Sequence, residues 1–241
     1  MRLHRLHHVT AICSDAQRTV AFYRDELGFR LVKKTVNFDD PGSYHLYFGD
    51  DTGLPGTLIT FFEWPGAQPG RPGRGTTTAI RLHAPGATPG QVDDPDGLRL
   101  ELIEAERPGL VDVSVYGKQE FYAELLGDDA PLRFVEPPPQ ATFWGPGVTH
   151  HIAWRVADEE EQAAWRERLL SLGLRPTEVL DRKYFRSVYF RLPDGVLFEL
   201  ATVGPGFSVD EPADDLGETL ALPGWLEGDR EAIEQHLVPI T

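Results

Sequence analysis

The chain has 241 residues, 41% of them apolar, enough for one large or two small hydrophobic cores. Its 38 acidic and 23 basic residues give a formal charge of −15, which argues against a nucleic-acid backbone or an anionic membrane surface as partner. The N-terminal MRLHRLHHV lacks the features of a secretory signal, and nowhere do eighteen apolar residues run together, so the sequence predicts a cytoplasmic protein.

In chain order, the first element expected is a short strand over Val9–Cys13, opened by the pair His7-His8. Ser14 or Asp15 can cap the helix that follows; Val20, Tyr23 and Leu27 give it an apolar stripe, and Gly28 stops it. Strands are expected over Leu31–Phe38, Tyr44–Phe48 and Thr57–Trp64. Residues 65–75, PGAQPGRPGRG, read as a Pro/Gly linker that joins units without joining their cores. They lack a phosphate-loop fingerprint and a succeeding helix. Thr76–Leu82 and Leu98–Glu104 read as strands with no helix between them, and the intervening DDPDG, Asp93–Gly97, reads as a turn rather than a calcium loop. A further unit begins with a strand over Leu110–Tyr116 and a helix near Gln119–Leu126.

At His150-His151 the opening pattern returns. Each His-His pair starts a short apolar stretch, an Asp (Asp15 or Asp158) follows the second histidine by seven residues, and each helical pattern ends at a glycine. The second copy continues with strands over Ile152–Val156, Thr177–Leu180, Phe185–Leu192 and Val196–Val203, then a tail with a short helix near Asp229–Leu237. The expected organisation is therefore α+β: complete βαβββ modules at 1–64 and 148–207, abbreviated ones at 76–106 and 107–147, and a tail from 208 to 241. Tandem modules of this kind form curved open sheets around a cup.

Glu199 lies inside the otherwise apolar strand VLFELATV, where an unpaired charge costs several kcal/mol, roughly, so it calls for a partner or a metal. If the two His-His strands lie side by side, His8, His151 and Glu199 converge. Two imidazoles and one carboxylate suit an octahedral non-heme Fe(II), with Mn(II) or another divalent ion chemically close. The first module has Thr60 in the glutamate slot, so one metal site is expected rather than two. Successive strand residues point to opposite faces, so His7 and His150 need a bulge, a strand start or a supporting role; hydrogen bonding to substrate or proton transfer would suit them. Cys13, the single cysteine, reads as a buried inert thiol.

Residues 6–62, THHIAWRV (149–156) and DRKYFRSVYFRLPDGVLFELATVGPGF (181–207) resemble the vicinal oxygen chelate superfamily, and within it the ring-cleaving hydroquinone 1,2-dioxygenases. The resemblance implies a ferrous site on His8, His151 and Glu199. It also implies catalytic or substrate-contacting roles for His7, Thr10, His150, Arg182 and Tyr189. It further implies that the substrates are a small aromatic diol, of hydroquinone or catechol type, and dioxygen. On the same scaffold the alternatives are a glyoxalase-like isomerase or thiol transferase, which the threonine at position 60 disfavours, and a metal-free aromatic-binding or resistance protein, which the His/His/Glu set disfavours. The resemblance departs from this pattern in the middle of the chain, where the modules are shortened; sheet edges left bare there would suit a homodimer.

Overall fold

A computed structural model describes residues 1–240. The two His-His segments are strands β1 (Leu6–Cys13) and β10 (Thr149–Val156), and they pair antiparallel at the centre of an eight-stranded sheet. On one side lie β2 (Arg30–Asn37), β3 (Asp40–Gly49) and β4 (Leu58–Glu63), with β4 parallel to β1. On the other lie β11 (Leu180–Asp181), β12 (Arg186–Arg191) and β13 (Leu197–Thr202), with β13 parallel to β10. The order β11-β12-β13-β10-β1-β4-β3-β2 is the same three-strand block laid out twice around the β1/β10 seam.

Helix α1 (Ala16–Val20) follows β1 and continues as a π-helical turn to Glu26. The Asp15 carboxylate accepts from the Arg18 N–H, while Glu63 accepts from the Ala16 N–H at 2.8 Å, so two of the orphan donors at the helix start are satisfied. Gly28 ends it at φ +72°, a conformation that penalises a side chain, and a Cβ there would lie 3.0 Å from the Pro85 carbonyl. Helix α2 (Glu159–Ser171) is capped in the same way by Asp158.

A second sheet has the order β6-β7-β5-β8-β9, built from β5 (Thr77–His83), β6 (Gly90–Asp93), β7 (Arg99–Ile103), β8 (Gly109–Tyr116) and β9 (Leu132–Val135). It repeats the logic of the first: β5 and β8 form an antiparallel seam, β7 runs parallel to β5 and β9 parallel to β8. One flank keeps two outer strands and the other keeps one. The strands β6 and β9, four residues each, were not expected from the sequence. The helix expected over Gln119–Leu126 is only a 3-10 turn, Gln119–Phe121. Its chain is drawn away because Leu125 and Gly127 hydrogen-bond to Leu3, bridging the N-terminal residues to this segment. The Pro/Gly stretch also departs from a free linker. Arg71 pairs with Phe143 and Arg74 with Ala141, and Gly73 comes so close that a Cβ would lie 2.6 Å from the Ala141 carbonyl carbon.

Alternation along the strands separates two faces. Val9, Ala11 and Cys13 of β1, Ile152 and Trp154 of β10, and Phe198 and Leu200 of β13 join one apolar cluster that also draws in Ile80, Leu82, Leu100, Val113 and Val115 of the second sheet. The opposite face of the first sheet carries His8, Thr10, Thr60, His151 and Glu199. The tail runs along β2, where the buried Lys33 ammonium holds Asp210 and Glu211 and the Thr35 hydroxyl donates to the Ala221 carbonyl. It ends in α3 (Arg230–His236), packed on β3. Among the described residues no helix is long and apolar enough to cross a membrane.

The turn at Asp94 allows a stability test. Its Oδ1 accepts from the Asp96 and Leu98 N–H groups, both at 2.9 Å, and its Oδ2 accepts from the Tyr23 hydroxyl at 3.2 Å. Burial nevertheless raises its pKa from 3.8 to about 6. The fold therefore holds this proton more tightly than the unfolded chain does, so stability contributed by the protonated form is lost as pH rises through about 6. Asp94→Asn preserves the two Oδ1 bonds but puts an amide donor where Oδ2 accepted from the Tyr23 hydroxyl, so at pH values above that range it should stabilise the protein by less than the roughly 3 kcal/mol that the pKa shift alone implies. The gain should vanish below the unfolded pKa, as measured by urea denaturation at both pH values.

Candidate metal centre

Both doubled histidines sit at bulges. The β1/β10 register steps from Leu6↔Trp154 to His8↔Ala153, leaving His7 as the extra residue. It then steps from Thr10↔His151 to Ala11↔Thr149, leaving His150 as the extra residue on the other strand. A bulge breaks strict alternation, so each first histidine lies beside the second instead of across the sheet from it. His7 Nδ1 is 2.9 Å from His8 Nδ1, and His150 Nδ1 is 2.8 Å from His151 Nδ1.

This contact decides which His8 nitrogen faces the site. His7 Nε2 lies 3.2 Å from the Thr202 carbonyl, which can only accept, so His7 carries its proton on Nε2. Burial, then the neighbouring His8, lowers the His7 pKa to about 3, so the ring is neutral and its Nδ1 is an acceptor. His8 must then donate from Nδ1, which leaves Nε2 with a free lone pair. His150 is likewise held neutral by burial and by His151, with a pKa of about 3, and can serve His151 as His7 serves His8.

The nitrogens so freed meet a carboxylate. His8 Nε2 and His151 Nε2 are 3.2 Å apart, Glu199 Oε2 is 3.3 Å from the first and 2.9 Å from the second, and all three side chains are buried. Neighbouring ligands on an octahedral ion with bonds of about 2.1 Å lie about 3.0 Å apart, so the three atoms have the spacing of one octahedral face. Glu199 Oε1 accepts from the Ser187 hydroxyl, whereas Oε2 has no hydrogen-bond partner. Burial pushes the Glu199 pKa up, but protons on the His8 and His151 nitrogens that face it outweigh burial and hold the carboxyl well below its usual range; a bound cation would take the place of those protons. An orphaned carboxylate oxygen facing two imidazole nitrogens is a donor set that fits a divalent cation. Among the described residues this is the one group of three such side chains that converges.

The remaining expected residues surround it. Thr10 Oγ1 is 2.9 Å from His151 Nε2 and 2.8 Å from Thr60 Oγ1. Tyr189 stands edge-on to His151, with ring centroids 5.5 Å apart, and Arg182 lies over the Tyr189 ring while pairing with Asp39 at 2.9 Å. Tyr189 and Arg182 line the cup above the three ligand atoms; His7 and His150 stand behind their neighbours and do not line it. Phe38, Phe62 and Phe185 supply aromatic walls. Among the cup residues outside the set expected from sequence are His45 and Tyr47. A histidine inside the apolar strand Tyr44–Phe48 is the same kind of signal that marks Glu199. The cup is closed down to a free volume of ≈ 20 Å³, with the Arg182–Asp39 pair on its wall.

The second sheet has no counterpart. On the face away from the shared core, Arg81 and Arg133 pair with Glu101 and Asp112 in a four-membered charge network, so both carboxylates there are already neutralised. A wider surface depression of ≈ 510 Å³ near Arg2, Tyr122 and Phe134 brings together no comparable ligand set.

Comparison with known proteins agrees with this geometry. The profile of the Glyoxalase/Bleomycin resistance protein/Dioxygenase superfamily matches residues 5–62 and 112–200, which include all three ligand candidates. The chain is 37% identical to "Putative ring-cleaving dioxygenase MhqO" of Bacillus subtilis (strain 168), covering 97% of this chain and 96% of that protein. It is 30% identical to the chlorohydroquinone/hydroquinone 1,2-dioxygenase of Sphingobium indicum, covering 96% and 95%. A crystal structure described as a "putative dioxygenase" from Bacillus subtilis subsp. subtilis str. 168 superposes with a TM-score of 0.91 at 34% identity, over 100% of this chain and 98% of that one. The MhqO alignment runs over 298 positions against a chain of 241 residues, so that relative carries internal sequence absent here.

Proposed function

Because the chain belongs to the Glyoxalase/Bleomycin resistance protein/Dioxygenase superfamily, we propose that it is a metal-dependent dioxygenase that opens the ring of hydroquinone- or catechol-type diols with molecular oxygen. The observation that carries this reading is the buried convergence of His8 Nε2, His151 Nε2 and Glu199 Oε2, with Glu199 Oε2 unpaired. Its likeness to ring-cleaving relatives along nearly its whole length supports the reaction class.

His8, His151 and Glu199 would hold the ion, which we take to be Fe(II), with Mn(II) the closest substitute. A ferrous ion bound there would acidify a diol hydroxyl and give dioxygen a place to react beside it. The protein's own contribution is positional. His7 and His150 fix their neighbours' tautomers, and the Thr10 hydroxyl, which shares the His151 Nε2 lone pair while no ion holds it, is released to face the substrates once one does. Burial raises the Tyr189 pKa, so its hydroxyl stays protonated and able to donate to an oxygen of the substrates. Arg182 places a positive charge on the cup wall where a phenolate would lie, and a ring enters only when Arg182 and Asp39 move apart. Phe62 and Phe185 exclude water around the ring. Both oxygen atoms of dioxygen enter the product as one ring carbon–carbon bond breaks. The modules at 1–64 and 148–207 carry this site. A cytoplasmic location and a homodimer covering the bare edges of the second sheet complete the reading.

The test is oxygen uptake by protein loaded anaerobically with ferrous ion, using a panel of hydroquinones and catechols. One dioxygen consumed per ring opened is the expected result. Tight metal binding without oxygen uptake on any diol would overturn the dioxygenase assignment.

A further inference from the structure

The cup contains a polar pair that the roles above leave unused. Tyr47 and His45 lie two residues apart on β3, so their side chains emerge on the same face, and both line the cup. The Tyr47 hydroxyl is 3.0 Å from His45 Nδ1, and His45 Nε2 is 3.1 Å from Thr60 Oγ1, which continues to Thr10 and then to His151. Three hydrogen bonds thus separate His45 from the ligand nitrogen of His151. The pair is buried, with Tyr47 2% and His45 9% exposed.

The direction of these bonds follows from counting donors. Burial keeps the Tyr47 phenol protonated and the His45 imidazole neutral. If His45 donated from Nδ1, the Tyr47 O–H would be left as a buried donor with no acceptor. With Tyr47 donating to Nδ1, and His45 Nε2–H donating to Thr60, every donor is satisfied. The Tyr47 oxygen then keeps free lone pairs beside the cavity. On the same wall Arg182 and Tyr189 are stacked together and already have the roles given above.

We propose that Tyr47, oriented by His45, is the acceptor for the substrate hydroxyl that lies away from the His8/His151/Glu199 face, and so selects diols whose second hydroxyl is para to the first. This rests on the dioxygenase reading and extends it to the far end of the ring. A buried hydroxyl without a partner is costly, so the Tyr47 oxygen separates hydroquinone from phenol, whose shape is nearly the same. Tyr47 touches the substrate; His45 is a positioning residue that acts through it.

The test is anaerobic calorimetry of ferrous-loaded protein with hydroquinone, phenol and catechol, alongside oxygen uptake by the wild type. The wild type should bind hydroquinone about tenfold more tightly than phenol. Tyr47→Phe, which keeps the ring packed against Tyr184, Phe185 and Phe207, should reduce that ratio to near one and leave catechol affinity unchanged. His45→Leu should do the same, and His45→Gln, which retains an acceptor for the phenol, should restore most of the ratio. A ratio that persists in Tyr47→Phe while the wild type consumes oxygen with hydroquinone would overturn this inference alone. A wild type that binds metal but neither diol would overturn the dioxygenase reading and this inference with it.

Discussion

Glu199→Gln should abolish stoichiometric binding of divalent metal and lower ring-opening activity by at least about a thousandfold, leaving the fold intact. The substitution keeps the shape and the acceptor for the Ser187 hydroxyl but removes the charge that faces two imidazole nitrogens. A ligand that binds only the folded state stabilises it, by about 2.7 kcal/mol at a hundred times its dissociation constant. Wild-type protein should therefore melt at a higher temperature when ferrous or manganous ion is added anaerobically, and the Glu199→Gln protein should show no such rise. Metal-dependent stabilisation that survives in the variant would place the cation elsewhere.

Removing the histidines behind the ligands should give the second largest effect. His7→Phe leaves the His8 Nδ1–H without its acceptor, so His8 is free to present the protonated nitrogen to the site. Supporting partners of metal-bound histidines typically contribute about 10- to 100-fold to metal affinity, and a loss of that size is expected. His150→Phe should act similarly through His151. His7→Asn, whose side-chain oxygen can accept from His8 Nδ1, should recover part of the loss. If His7 instead contacted substrate directly, His7→Phe would raise KM with metal affinity unchanged, a result that anaerobic metal titration and steady-state kinetics together would reveal.

Much of the site was legible in the sequence because its signals are local. A charge inside VLFELATV demands a reason, and the repeated His-His…Asp spacing marks two copies of one module, so His8, His151 and Glu199 could be brought together without coordinates. The threonine at position 60 pointed to a single metal site, and the structure has Thr60 hydrogen-bonded to Thr10 beside that site. The roles of His7 and His150 were less visible, because they depend on where the β1/β10 register slips, and a register is a property of two strands rather than of either one. His45 carried the same signal as Glu199, a polar side chain inside an apolar strand, whereas Tyr47 was hidden because a tyrosine there passes as an ordinary packed aromatic.

The middle of the chain was harder to read. The apolar pattern at Gln119–Leu126 suits a helix, but pairing of Leu125 and Gly127 with Leu3 competes for the same backbone groups. β6 and β9 are four residues each, too short for periodicity to distinguish them from loop. Their pairing comes from the β5/β8 seam that they extend. The second sheet thus keeps the seam and half of the flanking strands, while the face corresponding to the metal cup is occupied by the Arg81, Glu101, Asp112 and Arg133 network. That division leaves the first sheet to carry the chemistry and the second to complete the shared core.

The most direct test of a metal-dependent dioxygenase here is mass spectrometry of the product formed from hydroquinone by ferrous-loaded protein under isotopically labelled dioxygen. Incorporation of both labelled atoms into one ring-opened product is the predicted result. Quinone or an isomerised product without label, formed by fully metal-loaded protein, would contradict it.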